Sequence, residues 1–233
     1  MITGRLIGVG IGPGDPELLT LKAVRVLHES PVVAYVAAGG RPSMARRIVA
    51  QHLMPGRREI NLALPMQPLP ELAQAAYDEG AARIGAELER GRDVAVLCEG
   101  DPFLYGSFAQ LFERLGERYP TEVVPGVASF TAAAAAACTP LVGRTQTLMV
   151  LPATLPTDEL AAHLARADAA AILKLGRHFS KVRELIVKLG LLERAIYVEH
   201  ASAARERVVP LADLAVDEAP YFSLLLLPPG RRP

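Results

Sequence analysis

Twice in this chain a short apolar run is followed by Gly-Asp-Pro and then by a helix-forming stretch. The first run begins at Leu6 and passes through Gly12-Pro13-Gly14-Asp15-Pro16. The second, Asp93 to Cys98, is nearly continuous in apolar residues and passes through Glu99-Gly100-Asp101-Pro102. A run of this length without polar alternation reads as a strand covered on both faces. Strands of that kind joined by helices imply right-handed crossovers and a parallel sheet.

The rest of the first half fits this frame. Leu6–Val9 and Val32–Tyr35 read as strands, and Pro16–Glu29 as a helix with Leu21, Val24 and Leu27 on one face. Ser43–His52 reads as helical and Ile60–Leu64 as extended. The stretch PLPELAQAAYDEGAARIGAELERG, 68–91, predicts a long alanine-rich helix ending at Gly91. A helix through GSFAQLFERLGERY and a strand at TEVVPGV complete the alternation. Beyond them, TQTLMVLPA, DAAAILKL, RAIYVEHA, RERVVPL and YFSLLLLPPG read as strands. Helices are expected near Glu159–Arg166 and Phe179–Leu189, between some of these strands. A segment that ends on strands with little helix between them suggests a mixed sheet. The expectation is therefore two α/β domains, 1–124 and 125–233.

The chain has 233 residues, of which 51% are hydrophobic, and its formal net charge is +0, so a large core is affordable and a general affinity for nucleic acid is not expected. No signal pattern opens the sequence and no apolar run approaches a membrane span, so the expected location is cytoplasmic. Cys98 and Cys138 lack metal spacing and sit among small or apolar neighbours, which predicts core thiols. His28, His52, His163 and His200 have no partner at metal spacing, so no metal site is expected.

The first glycine loop is not a dinucleotide fingerprint. Counted from Gly8 the sixth position is Pro13, and counted from Gly10 it is Asp15, so the glycine spacing fails in both registers. No lysine stands where a phosphate-binding loop needs one. What remains is a strand-to-helix turn with Asp15 as N-cap and Pro16 in the first turn. A third loop, VVPGVAS, again follows a strand and opens an alanine-rich helix. Three such turns at the carboxyl ends of parallel strands would make a ligand cleft. The turns carry few positive charges, so phosphate is a poor ligand. Asp101 beside backbone carbonyls suits an ammonium, a hydroxyl or a sulfonium.

These same residues carry a family likeness. GVGIGPGDPELLTLKAVRVL, VLCEGDPFLYGSF and VVPGVASF resemble the tetrapyrrole methylases, S-adenosylmethionine-dependent enzymes of cobalamin and sirohaem synthesis. The finer wording of EGDPFLYGSFAQLFERL, LPATLP, LKLGRHFSKVRELI, AIYVEHAS and PYFSLLLL resembles the branch that methylates the C(20) meso carbon of precorrin-2. In the sibling enzymes the second motif is usually worded differently, with Gly or Ser where Glu99 stands. The resemblance implies two α/β domains with the active site in a trough between them, a homodimer, and S-adenosyl-L-methionine as methyl donor, leaving S-adenosyl-L-homocysteine. It carries donor contacts over to Pro13, Gly100, Asp101, Leu104, Ala128 and Ser129, with Leu175 and Ala201 framing the adenine. Ala128 stands where the family often has Thr or Ser, which removes a hydroxyl.

The implied reaction is attack of a nucleophilic meso carbon on a sulfonium methyl, so alignment is the main task. Loss of a proton afterwards needs an acceptor, for which Asp101 and Tyr105 are the candidates. Asp101 also reads as a helix N-cap. The substrate is a small-molecule polycarboxylate, and arginine suits carboxylates by its bidentate fork. Arg41, Arg46 and Arg47 form one group, and Lys174, Arg177, His178, Lys181 and Arg183 another. Arg144 and Arg177 are the preferred substrate contacts. The alternatives are another tetrapyrrole methylase, such as a uroporphyrinogen III C-methyltransferase, or a nicotinamide-dependent oxidoreductase. The alanine run Ala132–Ala137 suits close packing of its helix under a loop or beside a partner.

Overall fold

The computed structural model describes residues 3–65 and 70–230. The chain divides into two compact units, Met1–Ala128 and Ser129–Pro233.

The first unit is a parallel sheet of β1 (Leu6–Gly10), β2 (Val32–Ala38), β3 (Arg58–Leu64), β4 (Val94–Cys98) and β5 (Thr121–Val124), in spatial order β3-β2-β4-β1-β5. Every residue of β1 and β4 is buried, as strands covered on both faces require. Side-chain alternation splits the core in two. Val94, Val96 and Cys98 join Ile84 and Phe108 on one face, whereas Ala95 and Leu97 join Val26 and Ala45 on the other.

Helices α3 (Pro70–Leu88) and α4 (Phe108–Leu115) cover the first of these faces. Tyr77, Ala81, Ile84 and Leu88 recur at helical spacing and all enter that core. Gly91, at φ 72, closes the turn after α3 with its N–H on Leu88 O. Positions 68 and 69 of the predicted helix lie outside the described residues. The ring of Phe108 lies against Gly8, where a Cβ would come within 2.6 Å of it.

Helices α1 (Leu21–Glu29) and α2 (Met44–Ile48) cover the other face. The helix expected over Pro16–Glu29 is broken. A 3-10 turn spans Pro16–Leu18, Leu19 is extended, and Thr20 starts α1 afresh by accepting from Ala23 N. The helix expected over Ser43–His52 likewise ends at Ile48 and continues as a 3-10 turn over Ala50–His52.

The second unit opens with α5 (Ser129–Ala136), which lies against the sheet's central strand. Its sheet contains β6 (Leu148–Pro152), β7 (Ala169–Leu173), β8 (Ile196–Glu199), β9 (Arg207–Pro210) and β10 (Ser223–Leu227), in order β6-β7-β10-β8-β9. Only β6 and β7 pair in parallel, so the sheet is mixed. Helices α6 (Thr157–Leu164) and α7 (Phe179–Lys188) pack over it through Leu160, Phe179, Val182 and Ile186. Phe179 and Tyr197 meet edge to face at 5.4 Å.

Cys98 is buried, but Cys138 is exposed, contrary to the expectation of two core thiols. The alanine helix ends before Cys138, whose φ of 47 places it in the turn beyond. Among the described residues no helix is long and apolar enough to cross a membrane, and no cluster of His, Cys, Asp and Glu could hold a metal ion.

Candidate functional site

The strands β4, β1 and β5 are neighbours, and the turns at their carboxyl ends interlock through backbone. Gly100 N donates to Gly12 O at 2.9 Å, and Ile11 N to Cys98 O at 3.0 Å, which joins the first turn to the second. Gly126 ties in the third. A Cβ on Gly126 would fall 2.1 Å from Gly100 O and 2.8 Å from Gly10 Cα. A Cβ on Gly10 would fall 2.4 Å from Gly126 N. Only glycine permits that approach at either position.

Asp101 fastens the arrangement. Its Oδ1 accepts from Phe103 N at 3.0 Å and its Oδ2 from Gly126 N at 3.0 Å. The N-cap reading of Asp101 is therefore corrected: α4 starts after Ser107, and the carboxylate serves its own turn and the third turn instead. Asp15 does act as a cap, accepting from Glu17 N at 2.8 Å.

Pro13, Gly100, Asp101, Leu104, Tyr105 and Ala128 thus belong to three turns at one sheet edge. Pro13 and Gly100 are buried. Leu104 N donates to Asp101 O, and Tyr105, 46% exposed, is held at φ 55, a region that non-glycine residues enter at a cost. Ser129 is the first residue of α5.

In the second unit, Leu175 and Ala201 occupy the turns that follow β7 and β8. Both are buried, and the Leu175 side chain packs in the core with Phe179. The segment entering β10 lies beside both turns. Gly176 approaches Tyr221 Cα, and His200 N donates to Phe222 O at 2.8 Å. Lys174 and His200 hold positive φ, 60 and 49, directly after their strands. Arg177 is exposed at the carboxyl end of β7, with Nε donating to His178 Nε2 at 3.4 Å. Arg144 is exposed in the loop leading into the amino end of β6.

Three of the basic candidates hold structure. Lys181 Nζ donates to Ala153 O and Leu155 O, at 2.7 and 2.6 Å. Arg183 Nη2 and Nη1 donate to Leu214 O and Val216 O. Arg46 Nε bonds Glu59 Oε2 at 2.9 Å, which also accepts from Tyr35 Oη at 2.7 Å. The Arg46 bond holds the Glu59 carboxyl below its ordinary range, and burial, with the bond to Glu59, raises the Tyr35 phenol.

The comparisons with known proteins bear on what such turns serve. A family model described as Tetrapyrrole (Corrin/Porphyrin) Methylases matches residues 5–215. The chain is a tetrapyrrole methylase. Among its relatives, a precorrin-2 C(20)-methyltransferase from Sinorhizobium sp is 43% identical over 97% of this chain and 95% of its own. The cobalamin biosynthesis protein CobIJ of Mycobacterium tuberculosis is 48% identical over 98% of this chain, which spans only 47% of that relative's length. Among solved structures, the uroporphyrin-III C-methyl transferase of Thermus thermophilus complexed with S-adenosylhomocysteine is 27% identical. It covers 97% of this methylase, which covers 92% of it, with a TM-score of 0.70.

At Gly100, φ 69, a Cβ would meet only Val127 O, 3.9 Å away, beyond its own chain neighbours.

Sequence reasoning overlooked Gly10 and Gly126 as contact points. Their signal was a glycine after each of three strands. It also left Glu99 without a role. Its Oε1 accepts from Ala45 N at 3.1 Å, and burial pushes its carboxyl above the ordinary range.

Proposed function

We propose that this chain transfers a methyl group from S-adenosylmethionine to the C(20) meso carbon of precorrin-2 or its cobalt-containing counterpart. The observation that carries the reading is the 43% identity, along nearly the whole of both chains, to the relative named for that reaction. Identity to the cobalt-precorrin-2 relative of Salmonella typhimurium is lower, 33%, which favours the metal-free substrate.

The donor supplies an electrophilic methyl on a sulfonium. The chain's part is to hold and align. Pro13, Gly100, Asp101, Leu104, Ala128 and Ser129 hold the donor, with backbone groups replacing the hydroxyl that Ala128 lacks. Leu175 and Ala201 frame the adenine, Leu175 through its backbone because its side chain belongs to the core. Arg144 and Arg177 receive substrate carboxylates. Both Asp101 oxygens already accept backbone N–H groups, which favours fastening over proton transfer, and the Tyr105 hydroxyl can take the released proton only by passing its own on to water. Homodimeric assembly and a cytoplasmic location belong to the same proposal.

The test is incubation with precorrin-2 and methyl-labelled ¹³C S-adenosylmethionine, followed by ¹³C NMR. A single labelled methyl on C(20) is expected. Label on another carbon, or no transfer, would overturn the assignment.

A further inference from the structure

We propose that Glu99 is a positioning residue for the substrate. Its carboxylate fastens the Gly39–Ser43 turn and α2 to the turn carrying Gly100 and Asp101, and so sets Arg41 to receive a tetrapyrrole carboxylate. The proposal rests on the substrate reading given above.

Glu99 follows β4 and continues the face of Ala95 and Leu97, which α2 covers. Its Oε1 accepts from Ala45 N at 3.1 Å, within the first turn of α2. Among the described residues no cation offsets its burial. Burial raises the carboxyl, and only the N–H groups of Ala45 and of Glu99 itself act the other way. A carboxylate so placed costs stability, and the packing of α2 does not call for it. Ala45 and Ile48 already enter the core, and Arg46 is bonded to Glu59 on β3.

Among the described residues, the turn ahead of α2 is held upstream only where Gly39 N donates to Leu64 O of β3, at 3.0 Å. Gly39 and Gly40 both hold left-handed backbone, at φ 61 and 68, and a Cβ on Gly40 would meet nothing within 4 Å. Consecutive glycines leave the turn free to take many conformations. Its downstream end is held by Ser43 Oγ, which accepts from Arg46 N, and by Glu99 on Ala45 N. β2 runs parallel to β4 and pairs with it over Val32–Ala34, so this turn and the Gly100–Asp101 turn stand at the same end of the sheet. Arg41 stands in it, exposed. An arginine fixed there offers a charged fork to a carboxylate at the edge where the donor turns gather.

A mutant cycle tests this. With precorrin-2 as substrate, E99A and R41A should each raise KM about tenfold, with kcat within about twofold and the KM for S-adenosylmethionine unchanged. The double variant should be no worse than R41A, because both changes remove one interaction. E99Q, which keeps an acceptor for Ala45 N, should restore a KM near that of the wild type. Hydrogen exchange over residues 39–45 should quicken in E99A and not in E99Q. Additive losses in the double variant would overturn the proposal. So would an E99Q as defective as E99A, or unchanged exchange in E99A. Failure of the wild type to methylate precorrin-2 would sink the functional reading and the role of Arg41 with it. That failure is told apart because the exchange comparison needs no substrate and still decides whether Glu99 fastens the turn.

Discussion

Asp101 and Gly126 stand 25 residues apart in sequence and are joined by a 3.0 Å hydrogen bond from Gly126 N to Asp101 Oδ2. The bond locks the turn after β4 to the turn after β5. With Gly10 packed between Gly126 and Gly100, it makes one unit of three turns that the chain forms separately.

Asp101 is therefore both fastener and proposed donor contact. Asp101→Ala should cost about 1 kcal/mol of stability, since it removes the acceptor of the half-buried Gly126 N–H, and should weaken S-adenosylhomocysteine binding. Asp101→Asn keeps an oxygen acceptor and should fall between. Urea unfolding and titration calorimetry on both variants check the order.

The close approach of Gly126 predicts an asymmetry among glycines. Gly126→Ala sets a Cβ 2.1 Å from Gly100 O, where backbone must move, and should cost about 3 kcal/mol. Gly12→Ala meets Leu18, nearest at its Cβ, 3.3 Å away, and loses chiefly through its φ of 73, about 1–2 kcal/mol. Thermal unfolding of the two variants should rank them in that order, and equal losses would contradict the packing account.

Much of this architecture was legible because it is written locally. Val94–Cys98 is apolar at every position, and a glycine follows each strand that opens a turn. What escaped reading depends on distant partners or on competition between neighbours. Glu17–Thr20 gives no sign that Thr20 will restart a helix, because Leu18 and Leu19 continue the helical period. Asp101 resembled a cap because its partner Gly126 lies in another turn. Lys181 resembled a ligand for carboxylates, but its acceptors are carbonyls of the turn after β6, 26 and 28 residues away. Cys138 read as core from its alanine neighbours, although the helix stops short of it.

Glu99 gives stability a dependence on pH. Its carboxyl is raised in the fold above its unfolded value, so the folded state holds that proton more tightly. Its contribution to stability therefore falls as pH rises through the ordinary carboxylate range toward the raised value. Glu99→Gln removes that titration. The variant should be more stable than the wild type at neutral and alkaline pH, with the difference closing in acid. Melting temperatures across pH 4–8 check it, and a difference that widens in acid would contradict the assignment.

The two thiols should differ sharply. Burial pushes the Cys98 thiol up to about 12, so it stays protonated and inert at neutral pH. Cys138 is exposed. Maleimide labelling of the native protein, read by mass spectrometry, should modify Cys138 alone, and denaturant should release the second site.

The central claim is that the three interlocked turns cradle the methyl donor, and calorimetric titration of S-adenosylhomocysteine into wild type and Gly100→Ala tests it most directly. Beyond its own chain neighbours the added methyl meets only Val127 O, at 3.9 Å, so the packing can take it while it narrows the space proposed for the donor. The prediction is a fold that survives, with about 1–2 kcal/mol lost to the left-handed backbone, and an affinity lowered at least about tenfold. A folded Gly100→Ala protein that binds S-adenosylhomocysteine as tightly as the wild type would contradict it.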